Sequence, residues 1–493
     1  MHATRTLATV FFAAANAAGS VDSDTDAGGP NSTSNVLTRD VTIIGGGVTG
    51  SYAATWLHNR GYSFAVVEKQ SNLGGHTQTY TDPASGVAIE YGNVFFQDTP
   101  RMRDYMQRYN ISFSQIPPIN DPSHAIKYYD FKSGQEVGFE PPPGQAVQDG
   151  LDRWAKLVES NFSYLDRGYY LPDQVPDELM ISFADFVNMH SLGDIVNTAF
   201  QIGQGYGDFM RVPTLYAAKI LSPALVRQSK QKSMLITPDN GLLYRRSEAE
   251  FSQSGSLFLS STVSRLDRSL DQDGYMSVWV ETAVGDGNAT ARRATKIRTR
   301  KLLVTIPPPS ALEPGFGPSA AEQSLFSRFS CNHYWAGVVR GAQLPRLEMQ
   351  NCDRSNQAAV PTMPGIYVFE ATPAPDLHTF WYGAQAAVEQ QTQTPAGVRA
   401  EVLATIRRLR GAAGSPAATG QGGVEFVAVA DYSPFACMVD GAAIGQGFYR
   451  RLYALQGVGN VWWTGAAWHT HDASLLLEFT SDVLANMTGV KNG

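Results

Sequence analysis

Short apolar runs ended by glycine alternate along this chain with longer stretches of helical period. Val41, Ile43 and Ile44 form the first run, and their β-branched side chains predict a strand. It stops at Gly45-Gly46-Gly47-Val48-Thr49-Gly50, which opens a helical stretch, and Phe64-Ala65-Val66-Val67 then predicts a second strand closing at Glu68. Gly86 to Phe96 reads as strand and turn, and mostly helical sequence with shorter extended pieces runs from Pro100 to about Arg227. A cluster of strands comes next: Leu257-Phe258-Leu259, Thr262 to Leu266, Tyr275 to Thr282 and Leu302 to Ile306, separated by Gly and Asp turns. Beyond Pro309, strand-like stretches (Trp335 to Val339, Gly365 to Phe369, Thr379 to Tyr382) surround a helix near Ala396 to Leu409. The chain closes with a strand, a glycine turn at Gly465 and a long apolar helix. No repeat period is visible, which sets solenoids and propellers aside.

The first strand–glycine–helix–strand unit carries the clearest chemistry. Gly45 permits a tight turn, Gly47 lets backbone approach a pyrophosphate, and Gly50 lets the helix pack closely on the strand. The helix N-terminus offers free N–H groups and a positive dipole end to phosphates. Glu68 lies roughly twenty residues past the glycines, where a carboxylate takes both ribose hydroxyls and repels a 2′-phosphate. FAD or NAD is therefore favoured over NADP.

The residues just after Glu68 decide between these two cofactors. Leu73-Gly74-Gly75-His76-Thr77 resembles the second glycine pair of the flavin amine oxidase superfamily, which normally reads Gly-Gly-Arg. The strand cluster ending in Ile306-Pro307-Pro308 resembles that superfamily's second FAD segment, and Trp462-Trp463-Thr464-Gly465-Ala466-Ala467-Trp468 its third, flavin-capping segment. A narrower likeness, to the fungal beta-cyclopiazonate dehydrogenase group, rests on the Gly-Gly-His-Thr turn, on Gly203-Gln204-Gly205-Tyr206-Gly207-Asp208 and on the ending that runs through Trp468 to His469.

The resemblance implies an α/β fold: a Rossmann-like FAD-binding domain of amine oxidase type, interleaved with a mixed sheet-and-helix substrate domain. Residues 39–99, 228–309 and 424–493 are expected to build the first, and 100–227 and 310–423 the second. It places FAD contacts at Gly45, Gly47, Val48, Gly50, Glu68, Lys69, Gly74, Gly75, His76, Thr77, Val263, Gly465 and Ala466. His76 in place of arginine removes a permanent charge near the pyrophosphate, so binding must lean on backbone donors. The superfamily's covalent flavin cysteine has no match, since Cys437 lies too far upstream of Gly465, and FAD is expected to be noncovalent. No lysine occurs between Lys301 and Lys491, where many amine oxidases carry one near the flavin, so a conventional amine oxidase mechanism is not expected.

Flavin accepts the hydride itself, so the protein has to orient, exclude water and tune charge. Candidate residues for the substrate cavity are Asn93, Tyr382, Trp468 and His469, with His469 the proton acceptor. Only one of Trp381 and Tyr382 can face the cavity, because side chains alternate along a strand. His469-x-His471 lacks a nearby third ligand, and no metal is expected. The resemblance implies an oxidoreductase acting on a hydrophobic small molecule, such as a prenylated indole or other nitrogen-containing compound, with oxidative ring closure as one outcome. An amine or amino-acid oxidase that releases peroxide is the alternative, with Arg211, Arg227 or Arg340 as carboxylate partner. A binding protein of the same fold is a third.

At 493 residues, with 43% hydrophobic and 17% charged residues, the chain has the composition of a globular protein with sizeable cores. A net charge of −7 without a dense basic patch makes nucleic acid an unexpected partner. Residues 1–18 read as a secretory signal and 19–38 as a Ser-, Asp- and Gly-rich linker. No segment is long and apolar enough for stable membrane insertion. Five Asn-x-Ser/Thr triplets, at Asn31, Asn110, Asn161, Asn288 and Asn486, fit a secreted or secretory-pathway location. Of the three cysteines, Cys331 and Cys352 are the expected disulfide if oxidised, leaving Cys437 unpaired.

Overall fold

The computed structural model describes residues 35–115, 125–284, 291–353, 355, 358–386, 393–412 and 423–490. The expected signal segment, most of the linker, Asn31 and Asn288 lie outside the described residues. Strand Asn35–Ile44 begins inside the span expected to be linker.

One sheet carries the nucleotide-binding unit. Its strands run in the order Ser261–Asp267, Met276–Ala283, Arg292–Val304, Asn35–Ile44, Phe64–Val67 and Leu257–Phe258, and Val461–Trp463 also pairs with Arg292–Val304. Asn35–Ile44 lies parallel to both neighbours, and its end Val41–Ile44, flanked on both sides, is buried throughout, which fits the β-branched residues found there. Helix Val48–His58 crosses from this strand to Phe64–Val67; it is buried from Thr49 to Leu57 and packs against the C-terminal helix Ala473–Thr488. Parallel strands cannot be joined by a tight hairpin, and a helical crossover of this kind is the connection they require.

The second sheet runs Glu425–Asp431, Ser330–Arg340, Leu377–Ala384, Gly365–Ala371, Glu348–Asn351, Ile126–Asp130 and Gln135–Glu136, with Phe435–Met438 added against Ser330–Arg340. Strands between 425 and 438, which the sequence pattern assigns to the third flavin segment, thus hydrogen-bond into the second sheet. Its two faces have separate cores. Trp335, Val339, Ile366, Phe369, Phe380 and Tyr382 pack on one side with Val398, Val402, Ile406 and Leu409, an apolar stripe of helix Pro395–Ala412. Ala336, Val338, Val368 and Trp381 face the larger core shared with the first sheet.

Cys331 is disulfide-bonded to Cys437, not to Cys352. Ser330–Arg340 and Phe435–Met438 are paired strands, which brings those two cysteines together across 106 residues, while Cys352 is buried at the far end of Glu348–Asn351. Among the described residues no helix is long and apolar enough to cross a membrane.

A Cβ at Gly50 would lie 1.9 Å from the Gly45 carbonyl oxygen. Gly50→Ala must push the helix off the strand, and we expect a loss of about 3 kcal/mol or more in chemical denaturation together with loss of bound flavin. A second expectation concerns Glu90, which accepts hydrogen bonds from Thr79 Oγ1 at 2.8 Å and Asn240 N at 2.8 Å and is pushed up to about 7, chiefly by burial. A carboxyl raised in the folded state contributes fully below its unfolded value and loses that contribution as pH rises through about 7. Between pH 5 and 8 the wild-type protein should lose on the order of 2–3 kcal/mol more stability than Glu90→Gln, measured by urea denaturation at each pH.

Candidate functional site

Two glycine turns meet backbone to backbone at the end of the first sheet. Gly74 N donates to Gly46 O at 2.9 Å, and Gly75, at φ +57°, sits so close that a Cβ on it would lie 2.8 Å from Gly47 Cα. Helix Val48–His58 has no side-chain cap, so its first N–H groups open onto a cavity of about 520 Å³ that Gly47, Val48, Thr49, Gly75 and His76 line. Thr305, Ile306 and Pro307 continue the wall, and Thr305 Oγ1 donates to Ile44 O at 3.0 Å, tying the second flavin segment to the first. Gly465, Ala466 and Ala467 add the third segment. Three distant stretches thus meet around one cradle of backbone.

Asn93 is held in this wall by its main chain: its N–H donates to His76 O at 3.0 Å and its carbonyl accepts from Asn240 Nδ2 at 2.7 Å. Its own Nδ2 has no partner among the described residues. Such an orphaned donor, beside an uncapped helix terminus and side-chain-free glycines, fits a cofactor carrying a pyrophosphate and a polar ring edge. His76 stands among Tyr432, Phe435 and His471, with ring centroids at 5.0, 5.4 and 6.0 Å. Burial, and then the Lys69 charge, pushes it down to about 4, so it is neutral at physiological pH and phosphate charge must be met by backbone donors.

Glu68 Oε2 accepts from Gly46 N at 2.6 Å and Oε1 from Gln70 N at 2.7 Å, which fixes the carboxylate at the strand tip beside the glycine loop. Gly74 and Thr77 line the cavity, whereas Glu68, Lys69 and Val263 stand outside its wall. Val263 lies on an edge strand, paired with Val280 next to a bulge, and its carbonyl is backed by Gly315.

The second sheet supplies another wall. Trp381, Val368 and Glu370 face the cavity from adjacent strands, and Tyr334, Phe435 and Trp468 extend the aromatic surface. Tyr382 does not belong to it: one residue on from Trp381, it points into the opposite core beside Phe380 and Val402. The stretch around Gly205 lies against the same wall, because its backbone packs on the Phe435 ring and Gly205 N donates to Tyr367 OH at 3.2 Å.

His469 also falls outside the cavity wall. It is buried, with Nε2 3.1 Å from the Asp166 carbonyl and 3.5 Å from Lys219 Nζ, and burial together with Lys219 holds it well below the usual imidazole range. His471 takes the place in the cavity that His469 was expected to fill. Its Nε2 already accepts from Ala436 N at 3.0 Å, and burial and His76 push it down to about 3. Neither histidine is therefore placed to take a proton from a bound molecule. Lys219, although buried, donates to the Leu165 carbonyl and does not line the cavity.

Three acidic residues of the cavity wall were missed by sequence reasoning: Asp472, whose carboxylate caps helix Ala473–Thr488 by accepting from Leu475 N, and the pair Glu348 and Glu370. Glu348 and Glu370 are directly opposed on neighbouring antiparallel strands, and both line the cavity. Burial, and then Glu348, pushes Glu370 up to about 7. The available signal was alternation: in Val368-Phe369-Glu370 a charge occupies the same face as a cavity-lining valine.

Comparison with known proteins agrees with this geometry. Residues 49–475 match the family of flavin containing amine oxidoreductases. FAD-dependent oxidoreductase pigF of Monascus ruber is 31% identical over 437 residues, 88% of each chain. Beta-cyclopiazonate dehydrogenase of Aspergillus oryzae is 31% identical over 457 residues, 92% of this chain and 93% of the relative. Among solved structures, the CLA-producing fatty acid isomerase from P. acnes superposes with a TM-score of 0.69 at 16% identity, covering 91% of this chain and 98% of that one. A putrescine oxidase double mutant superposes with a TM-score of 0.62 at 16% identity, covering 92% and 100%. With the glycine cradle, the three converging segments and the match along most of its length, this chain belongs to the flavin containing amine oxidoreductase family and is an FAD-dependent oxidoreductase.

Proposed function

We propose that the enzyme oxidises a hydrophobic, nitrogen-containing small molecule of fungal secondary metabolism, with oxidative ring closure as one outcome. The observation that carries this reading is a single cavity that runs from the glycine cradle to an aromatic wall and, among the described residues, has neither arginine nor lysine in its lining. FAD, held there noncovalently by the Gly47–Thr49 and Gly74–Thr77 backbones, supplies the hydride acceptor. Trp381 and Tyr334 offer flat apolar faces that orient a planar molecule and exclude water. Trp468, stacked on Trp463 at 5.9 Å, gives the capping turn a rigid support, and the Asn93 amide is free to bond a polar ring edge.

An amino-acid oxidase would need a cation for the substrate carboxylate. Arg211 pairs with Asp208 and is largely solvent-exposed, Arg227 pairs with Glu159, and Arg340 bonds Asp82 at 2.8 Å. None of the three lines the cavity, so the amino-acid form of the alternative loses its main requirement.

A secretory-pathway location is part of the same proposal. The N-terminal sequence, the Cys331–Cys437 disulfide and the exposed sequon residues Asn110, Asn161 and Asn486 support it.

The first test is the visible spectrum of the purified protein before and after acid precipitation. Yellow colour released to the supernatant is expected; colour held in the pellet means a covalent link and overturns the noncovalent expectation. Replacing Asn93 with Ala should leave the fold intact, shift the flavin absorption bands and lower kcat/KM on a turned-over substrate about tenfold or more. An unchanged spectrum and rate would remove Asn93 from the flavin edge. For location, endoglycosidase treatment of protein from the fungal culture medium should reduce its apparent mass, and protein confined to the cytosol would reject the secretory route.

A further inference from the structure

The acidic pair on the second sheet is unusual in its surroundings. Glu348 and Glu370 occupy directly opposed positions on antiparallel strands, where like charges are destabilising. Among the described residues neither has an ion-pair partner, and the cavity they line contains no lysine or arginine. Once Glu370, raised to about 7, is ionised, a fold that keeps two carboxylates together in a largely apolar chamber carries a cost that a bound cation can relieve.

Their hydrogen bonding is unequal. Tyr334 OH donates to Gln204 Oε1 at 3.2 Å, Gln204 Nε2 to Gln201 Oε1 at 3.2 Å, Gln201 Nε2 to Gln350 Oε1 at 3.1 Å, and Gln350 Nε2 to Glu348 Oε1 at 2.6 Å. Every amide in this relay points its donor toward Glu348, which fixes that carboxylate as an acceptor. The Glu370 carboxylate, one strand away and facing the same cavity, receives no hydrogen bond from the described residues. An acceptor fixed in place and an unpartnered acceptor beside it leave room for one donor group that is not part of the protein. Aromatic faces at Trp381 and Tyr334 line the same chamber and suit a cation with an apolar body.

We propose that Glu348 and Glu370 form a cation-recognition subsite that selects substrates carrying a positively charged nitrogen on an apolar skeleton. The inference rests on the oxidoreductase reading above and narrows it, because neutral polyketide-like or terpenoid molecules of the same size would leave both carboxylates without a counter-charge. An ammonium donates to both side chains at once and removes their mutual repulsion, whereas a hydroxyl in the same position removes none of it.

The test compares 2-phenylethylamine with 2-phenylethanol, which match in shape and differ in charge, by anaerobic calorimetric titration of the FAD-loaded enzyme at pH 8, above the value of about 7 to which Glu370 is raised. The flavin spectrum of each sample is recorded first. The amine is expected to bind about tenfold or more tightly than the alcohol, and Glu370→Gln and Glu348→Gln are each expected to reduce that preference to about threefold or less. Both variants should retain flavin, and their melting temperatures should equal or exceed that of the wild type because one of two repelling charges is gone. If one variant fails to fold, the other gives the same readout. Equal affinity for the two probes, no binding of the amine, or an amine preference that survives both substitutions would overturn the subsite while leaving the oxidoreductase reading in place. A wild-type protein that carries no flavin would instead strike at that reading, and the two failures are separate.

Discussion

Two stretches of backbone can touch only where neither carries a side chain, and the whole cofactor cradle depends on that contact. Gly50 packs onto the Gly45 carbonyl, and Gly75 packs onto Gly47. The first contact sets the distance between helix Val48–His58 and the strand before it; the second fixes the turn after Glu68 against the turn before the helix. Glu68 closes the arrangement by accepting from Gly46 N. Because no side chain caps the helix terminus, its open donors are available to a ligand in the cavity. A pyrophosphate held there would be met by backbone dipoles, which agrees with a neutral His76 where the superfamily usually has arginine.

The second sheet adds a further wall to this cradle. Its strands are covered on one face by helix Pro395–Ala412 and open to the cavity on the other, so strict alternation sorts side chains into packing and lining sets. Trp381 lines and Tyr382 packs for that reason alone. The same sorting puts Glu370 in the cavity while Phe369 enters the core. The Cys331–Cys437 disulfide joins Ser330–Arg340 to Phe435–Met438 and so ties the strand bearing Tyr334 to the one bearing Phe435.

Charge within the cavity is arranged by exclusion. Lys219 is turned away to Leu165 and His469, and Arg340 is held by Asp82, so among the described residues no fixed cation faces the bound molecule. His471 spends its ring nitrogen on the Ala436 amide. The polar and ring groups that remain in its wall are aromatic, imidazole, hydroxyl, amide or carboxylate, and the lack of lysine and arginine among the described lining residues distinguishes the chamber from one built to hold a carboxylate substrate.

The range of each interaction decides how much of this was legible in the chain. The cofactor unit is local: Val41 to Thr77 contains both glycine turns, the strands they end and Glu68, and sequence order alone places them together. The later flavin segments were legible through resemblance: the strands from Leu257 to Val304 and Val461–Trp463 join the same sheet, whereas those between 425 and 438 do not. Alternation established that Trp381 and Tyr382 face opposite ways but not which faces in, since that depends on where helix Pro395–Ala412 docks. Likewise, spacing in the chain suggested Cys331 with Cys352, but strand pairing across 106 residues joined Cys331 to Cys437. The choice between His469 and His471 was made by the short turn Ala466–Trp468, after which one ring enters the core near Lys219 and the other the cavity. Thus the sequence by itself determined the nucleotide-binding unit and its cofactor class, because glycine contacts and strand–helix order are local. Only the tertiary structure decided which side chains meet the substrate, because the register between distant strands sets the direction in which each one points.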